Sequence, residues 1–443
     1  MFFIKFITLV FIGNNFYFNS VEIVTLTYNL RFAGFEEEWN SYFLEDVIKS
    51  FVNGQTPSRN VDSYWNGEIP WVSSGELNYN HITSTIEQIT EEGKGKANLK
   101  LLPAGTFLMA ITGLEAAGTR GSCAILDIEA TTNQSCMALF PKEDKLTTKF
   151  LYYWYLKVGE HYGIKYTQGT KQQSYNKELL EKLPIVIPDN LKEQDKITDC
   201  LSLLHFKIEL LEKKYKSYVD FKKYLMQQIF AQKLRFADYI DEWKTIKLKD
   251  IGEINTGNTP STAVDEYYSP KKYLWVTPSD ISKKYIFDTA KGLSDEGAKK
   301  GRFVKKNSVL VTCIASIGKN CIILEDGYFN QQINSITPSQ SFDLEFIYYL
   351  IDYNSQKMKN YAGITATPIL NKKSFENMKF EFPSFNEQKQ IGNILSKVDD
   401  KIFSIEEMIN KTQKYKKGLL QQMFNNVRLV VINLIINEYI CPL

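Results

Sequence analysis

The chain repeats itself. Leu30-Arg31-Phe32-Ala33 returns as Leu234-Arg235-Phe236-Ala237, and Glu38-Trp39 as Glu242-Trp243, each 204 positions later. Gly54-x-Thr56-Pro57-Ser58 returns as Gly257-x-Thr259-Pro260-Ser261, Trp71-Val72 as Trp275-Val276, Asn133-Gln134 as Asn330-Gln331, and Phe150-Leu-Tyr-Tyr as Phe346-Ile-Tyr-Tyr. Glu193-Gln194 pairs with Glu387-Gln388, and Gln227-Gln228-x-Phe230 with Gln421-Gln422-x-Phe424, now 194 positions apart. A unit present twice in the same order folds as two like halves. The offset shrinks only in the first part of each half, so insertions and deletions fall there, while the closing segments keep a fixed length.

Those closing segments carry a helical seam. Ile197, Leu201, Leu204, Ile208, Leu211, Tyr215, Tyr218, Lys222, Leu225 and Ile229 recur at alternating spacings of four and three. So do Ile391, Leu395, Val398, Ile402, Ile405, Ile409, Thr412, Lys416, Leu419 and Met423. Such a seam over four heptads predicts a left-handed coiled coil. Each segment opens just after a proline with a capping-box pattern, Asn190-x-x-Glu193 and Ser384-x-x-Glu387. Burying about eight apolar seam residues per helix is worth on the order of 10 to 20 kcal/mol as an upper bound. Neither stripe can stay in water, and the nearest partner is the other helix.

Connectivity predicts that the two helices run antiparallel. From 197 to 229 a helix rises roughly 48 Å at 1.5 Å per residue, and antiparallel packing lets one module bridge the end of the first helix and the start of the second. The expectation is a module at each end of a rod, in a pseudo-twofold, nearly circular arrangement, since Val427-Arg428-Leu429 echoes Leu30-Arg31-Phe32. The rod is as long as about 14 base pairs of B-DNA, so two heads at its ends can reach major grooves about one turn apart. A spacer or oligomerisation stalk is the plainer reading of such a rod.

The modules mix strand and helix signals, an α+β pattern. Thr106 to Thr112, Cys123 to Leu126 and Ser308 to Thr312 read as buried strands, and Lys149 to Val158 and Leu344 to Asn354 as helices. Net charge is only +2, from 53 basic and 51 acidic side chains, so any polyanion must be held by local patches or by a partner. Candidates are Lys94, Lys96 and Lys100 in one half and Lys299, Lys300, Arg302, Lys305 and Lys306 in the other; such groups neutralise phosphates without reading sequence. Base edges call for amides, hydroxyls and other paired donors and acceptors. Ser73, Ser74, Gln134, Thr170, Lys171, Gln172 and Gln173 supply these in the first half, with Ser279, Gln331, Gln332, Thr365 and Thr367 as counterparts in the second.

Little in the sequence points to catalysis. There is no P-loop, no Pro-Pro pair of the kind found in amino-methyltransferase pockets, and no Cys-x-x-Cys. The six cysteines and three histidines are scattered, so no metal site is expected and a reducing cytoplasm is the simpler setting. Pro188-Asp189 followed by Glu212-x-Lys214 mimics a nuclease metal motif, but the second pair lies within the coiled-coil segment, far from any strand. The opening MFFIKFITLVFIG lacks a small-x-small cleavage site and is too short and interrupted to span a bilayer.

Taken in order, the Leu-Arg-Phe…Glu-Trp openings, the Gly-x-Thr-Pro-Ser turns and the Glu-Gln helix starts ending in Gln-Gln-x-Phe resemble the specificity subunit of a type I restriction-modification system, over about residues 30 to 428. The resemblance implies target recognition domains at 30–189 and 234–383 and coiled-coil helices at 190–233 and 384–428. Residues 1–29 and the apolar tail 429–443 fall outside the pattern. It further implies a non-catalytic chain that reads a bipartite double-stranded DNA site, each domain one half, with the helices setting the gap. Two modification subunits would methylate adenine N6 with S-adenosylmethionine, and restriction subunits would cleave with ATP and Mg; this chain itself would hold no cofactor. The rival from another class is a coiled-coil scaffold whose duplicated heads bind protein or carbohydrate, and a self-sufficient methyltransferase or nuclease is opposed by the missing pockets.

Overall fold

Phe107–Ala110, Cys123–Leu126 and Cys136–Pro141 are apolar runs bounded by turn residues, and they become the centre of a five-stranded sheet. Its order is Ile48–Asn53, Cys136–Pro141, Phe107–Ala110, Cys123–Leu126, Asn80–Ile82, antiparallel except for the last pair. The second half builds the same sheet in the same order from Gly252–Thr256, Ile333–Pro338, Ser308–Thr312, Asn320–Ile323 and Tyr285–Ile286. This computed structural model describes residues 29–114, 119–167, 173–362, 368–424 and 429–431. The chain divides into two units, Met1–Leu210 with Ile409–Leu443, and Leu211–Met408. Each is a sheet-rich α/β domain with its own core.

Beside the main sheet each unit places a smaller one. In the first it is Glu87–Ile89, Trp65–Val72 and Thr131–Thr132; in the second, Gly292–Leu293, Tyr273–Val276, Gly327–Phe329 and Arg302–Val304. The expected strand at Thr106 to Thr112 is shorter, Phe107–Ala110, because past Ala110 the backbone pairs with another segment, Thr112 with Ser174 and the Ile111 carbonyl with Tyr175 N at 2.9 Å. The expected helix at Lys149 to Val158 runs further, Thr148–Lys165. Gly159 stays helical because it packs on the Gly121 turn, where a Cβ would stand 2.8 Å from the Gly121 Cα. Close packing there offsets the poor helix propensity of glycine. In the second unit the matching helix, Leu344–Tyr353, stops where Asn354 donates its amide to the Leu350 carbonyl at 2.8 Å.

The two seam segments are single helices, Leu191–Phe230 and Phe385–Met423. In the first unit Ile197 and Leu201 lie in one core with Leu419, Met423, Phe107 and Phe150, and Lys416 Nζ is 3.0 Å from His205 Nδ1. In the second, Leu225 and Ile229 share a core with Ile391, Leu395 and Phe346, and Lys222 Nζ is 2.7 Å from Asp399. Of the remaining seam positions, Ile208, Val398 and Ile405 are buried and Leu204, Leu211, Ile402 and Ile409 half-buried. Leu429–Val431, which the sequence left in the unmatched tail, pairs in parallel with Asn29–Arg31. Among the described residues no helix is long and apolar enough to cross a membrane.

Candidate nucleic-acid interface

The repeated motifs converge on two constellations in each unit. The first is a clamp on the long helix. Arg31 donates from Nε and Nη2 to the two oxygens of Glu193 at 2.6 and 2.8 Å, and Trp39 Nε1 donates to the same carboxylate at 3.2 Å. Arg235 and Trp243 treat Glu387 the same way, at 3.0, 2.8 and 3.4 Å. The capping-box expectation holds in its first half only: Asn190 Oδ1 accepts from Lys192 N at 3.0 Å and Ser384 Oγ from Glu387 N at 3.4 Å, while the two glutamates turn to arginine and not back to the cap backbone. The neighbouring glutamines brace the same place: Gln194 accepts from Thr147 N and donates to the Lys145 and Pro188 carbonyls, while Gln388 accepts from Asp343 N and donates to the Pro383 carbonyl. The openings and helix starts that are most visible in the sequence are therefore architecture.

The second constellation faces outward. The Gly-x-Thr-Pro-Ser turn lies on the Asn-Gln turn, held by Gln55 N to the Thr132 carbonyl and Asn258 N to the Phe329 carbonyl, both 3.0 Å. A Cβ on Gly54 or Gly257 would stand 2.1 Å from a carbonyl oxygen, Thr132 in one and Asn330 in the other, so only glycine permits this approach. Thr56 then donates its hydroxyl to Gln134 Oε1, and Thr259 does so to Gln331 Oε1. Both glutamines are exposed, and neither amide nitrogen has a partner among the described residues. Each unit thus offers an oriented amide donor at the same place.

Other candidates are more committed. The Ser73 hydroxyl and amide both donate to Glu76, at 2.9 and 2.8 Å, closing the turn after Trp71-Val72. The position equivalent to Ser73 is Thr277, bound likewise by Asp280, while Ser279 shares a hydroxyl bond with Thr277. Ser74 is half-buried in that turn. Glu76 and Asp280 also accept from Ile86 N and Ala290 N, both 2.9 Å, fixing a second loop. Self-comparison by identity missed this acid pair because Glu76 answers Asp280 conservatively.

The basic clusters begin on matching short helices, Glu91–Lys96 and Asp295–Lys300, capped by Thr90 and Ser294, and continue past them to Lys100 in one unit and to Arg302, Lys305 and Lys306 in the other. Lys94 pairs with Glu91 at 2.7 Å and Lys299 with Glu296 at 2.5 Å, which reduces their value as phosphate ligands. Lys96, Lys100, Lys300, Arg302, Lys305 and Lys306 are exposed. Asn258 Nδ2 donates to the Lys300 carbonyl at 2.5 Å, so Lys300 sits beside the Thr259–Gln331 turn. Gln332 is half-buried, its amide oxygen taken by Asn330 at 3.1 Å, and Gln173 is half-buried. Thr170, Lys171, Gln172, Thr365 and Thr367 lie outside the described residues.

No nucleophile emerges at the cysteines that the fold encloses. Burial pushes the Cys313 thiol up to about 12 and those of Cys123, Cys136 and Cys321 higher still. Asp189, of the nuclease-like motif, is occupied by Asn40 Nδ2 at 2.6 Å and Tyr42 OH at 2.9 Å.

Profile comparison matches residues 36–217 and 240–413 to the type I restriction modification DNA specificity domain. The chain belongs to this family. Both halves are specificity domains, and the match divides the chain where the sequence repeat does. The chain is similar to the MjaIX specificity subunit of Methanocaldococcus jannaschii, 29% identical over 42% of this chain and 43% of that protein. It is similar also to the EcoR124I/EcoR124II specificity subunit of Escherichia coli, 24% identical over 63% and 70%. The fold resembles the crystal structure of the type I S subunit from M. genitalium, with TM-score 0.60, 16% identity, and coverage of 88% of this chain and 97% of that one. The family description assigns such a domain to DNA specificity.

Proposed function

We propose that this chain is the DNA-reading subunit of a type I restriction-modification assembly, with residues 30–189 and 234–383 as target recognition domains for the two halves of a bipartite site. One observation carries the reading. The same internal frame is built twice, including the Thr56–Gln134 and Thr259–Gln331 turns, while the side chains around it differ. Two readers of unlike half-sites need just that combination. The exposed lysines and Arg302 would hold phosphates, and Gln134 and Gln331 would reach base edges.

In this reading the long helices form the antiparallel, pseudo-twofold coiled coil that sets the gap. The pairing of the start of each long helix with the end of the other, seen separately within each unit, supports it. Two modification subunits dock on the helix faces that leave Leu203, Phe206, Tyr224 and Phe403 exposed. S-adenosylmethionine belongs to those subunits, ATP and Mg to restriction subunits, and none to this chain. The setting is the cytoplasm, which suits the free cysteines.

Co-expression with its modification subunits in a host free of adenine methylation, followed by genome-wide mapping of N6-methyladenine, tests the proposal. A bipartite motif with a fixed gap is expected. The scaffold alternative predicts no motif.

A further inference from the structure

Where the two frames coincide, one locus carries opposite chemistry. In the first unit Arg59 follows the Gly-x-Thr-Pro-Ser turn, and its guanidinium lies 3.7 Å from the centre of the Trp65 ring and 5.2 Å from that of Trp71. Both of its terminal nitrogens bond Glu87, Nη2 to Oε2 at 2.8 Å. Glu87 opens the strand Glu87–Ile89, next to Ile86 in the loop fixed by Glu76, and the pair edges a shallow cleft with Asp62 and Asn66. The second unit keeps the supports. Tyr268 and Trp275 replace Trp65 and Trp71 as an edge-to-face pair, at 5.3 Å against 5.2 Å, and Asp280 fixes the equivalent loop. The side chains on those supports are Thr262 in place of Arg59 and Lys291 in place of Glu87.

The Arg59–Glu87 pair is 52% and 38% exposed, so holding the unit together is not its main value. Stacking on Trp65 sets the guanidinium plane in advance, which lowers the ordering needed to engage a planar target. Arginine is the commonest bidentate reader of guanine O6 and N7, and glutamate accepts from cytosine N4. Guanine O6 and cytosine N4 lie side by side on the major-groove edge of one base pair, as the arginine and glutamate do here.

We infer that Arg59 and Glu87 are a specificity-determining pair of the first recognition domain, exchanging their mutual bonds for the edge of one G·C pair in its half-site. This rests on the DNA-reading function proposed above. The second domain, with Thr262 and Lys291, reads something else at the matching position.

The test uses the full chain with its modification subunits, mapping N6-methyladenine motifs for the unmodified chain, Arg59→Ala, Arg59→Lys and Glu87→Gln. The expected result is that one G·C position in one half-site loses about ten- to hundredfold discrimination in both Arg59 variants. Glu87→Gln relaxes the same position, and the other half-site and the gap are unchanged. An unchanged motif in Arg59→Ala and Arg59→Lys overturns the inference. So does a uniform loss of methylation in Arg59→Ala that Arg59→Lys restores, which marks a phosphate contact, and so does loss at every site in both variants. Absence of any bipartite motif from the unmodified chain would instead overturn the underlying function.

Discussion

Arg31 and Glu193, 162 residues apart in the chain, meet through two hydrogen bonds of 2.6 and 2.8 Å, with Arg31 8% and Glu193 1% exposed. The equivalent Arg235 and Glu387 are 20% and 2% exposed. Each pair ties the opening of a half to the start of its closing helix, so the clamp couples a recognition domain to the element proposed to set the gap.

Glu193→Gln leaves a buried guanidinium short of its counter-charge, and a loss of about 3 to 5 kcal/mol is expected. Glu387→Gln should cost less, since water reaches Arg235. Urea denaturation of the two variants checks the order; equal losses would contradict it.

Gly54→Ala and Gly257→Ala drive a methyl into a carbonyl oxygen 2.1 Å away and should each destabilise by about 1 to 3 kcal/mol or more. Gly95→Ala meets nothing within 4 Å and lies in a helix, so it should be neutral or stabilise by up to about 1 kcal/mol. Thermal melting of the three variants separates these outcomes.

His205 is half-buried among Lys416, Glu209 and His81, the last bonded to Asp127. Burial first, and then the Lys416 charge, lower its pKa from the ordinary 6.5. The unfolded chain then takes up the proton more readily than the folded one. The contribution of neutral His205 is therefore complete above 6.5 and is lost as pH falls through the lower folded-state value. The melting temperature should drop further between about pH 7.5 and about pH 5.5 in the unmodified chain than in His205→Gln. An identical drop in both would show that other groups govern it.

Adding one heptad to each long helix lengthens each by about 10.5 Å and should widen the gap in the methylated motif by about three base pairs. The half-site sequences should stay the same. A constant gap would remove the helices as its determinant.

Periodicity and repetition made the long helices, the duplicated frame and the strands Cys123–Leu126 and Ser308–Thr312 legible, because those features are local or recur in order. The surroundings of the candidate interface residues were legible only in part. Gln134 and Gln331 are exposed and each is oriented by a threonine hydroxyl, but Lys94 and Lys299 are held by glutamates a turn away, and Ser73 is spent on closing its own turn. Composition cannot tell a lysine that is free from one that is paired.

The sequence by itself determined that there are two like halves, that each ends in an amphipathic helix, and which family they belong to, since these are properties of order and spacing. Only the tertiary structure decided what the repeated letters do. It sends Arg31 to Glu193, lays Gly54 on the Thr132 carbonyl, and brings Arg59 over Trp65 beside Glu87. Those partners are separated along the chain, and a hydrogen bond or a ring contact depends on distance and direction in space, which one-dimensional spacing does not carry.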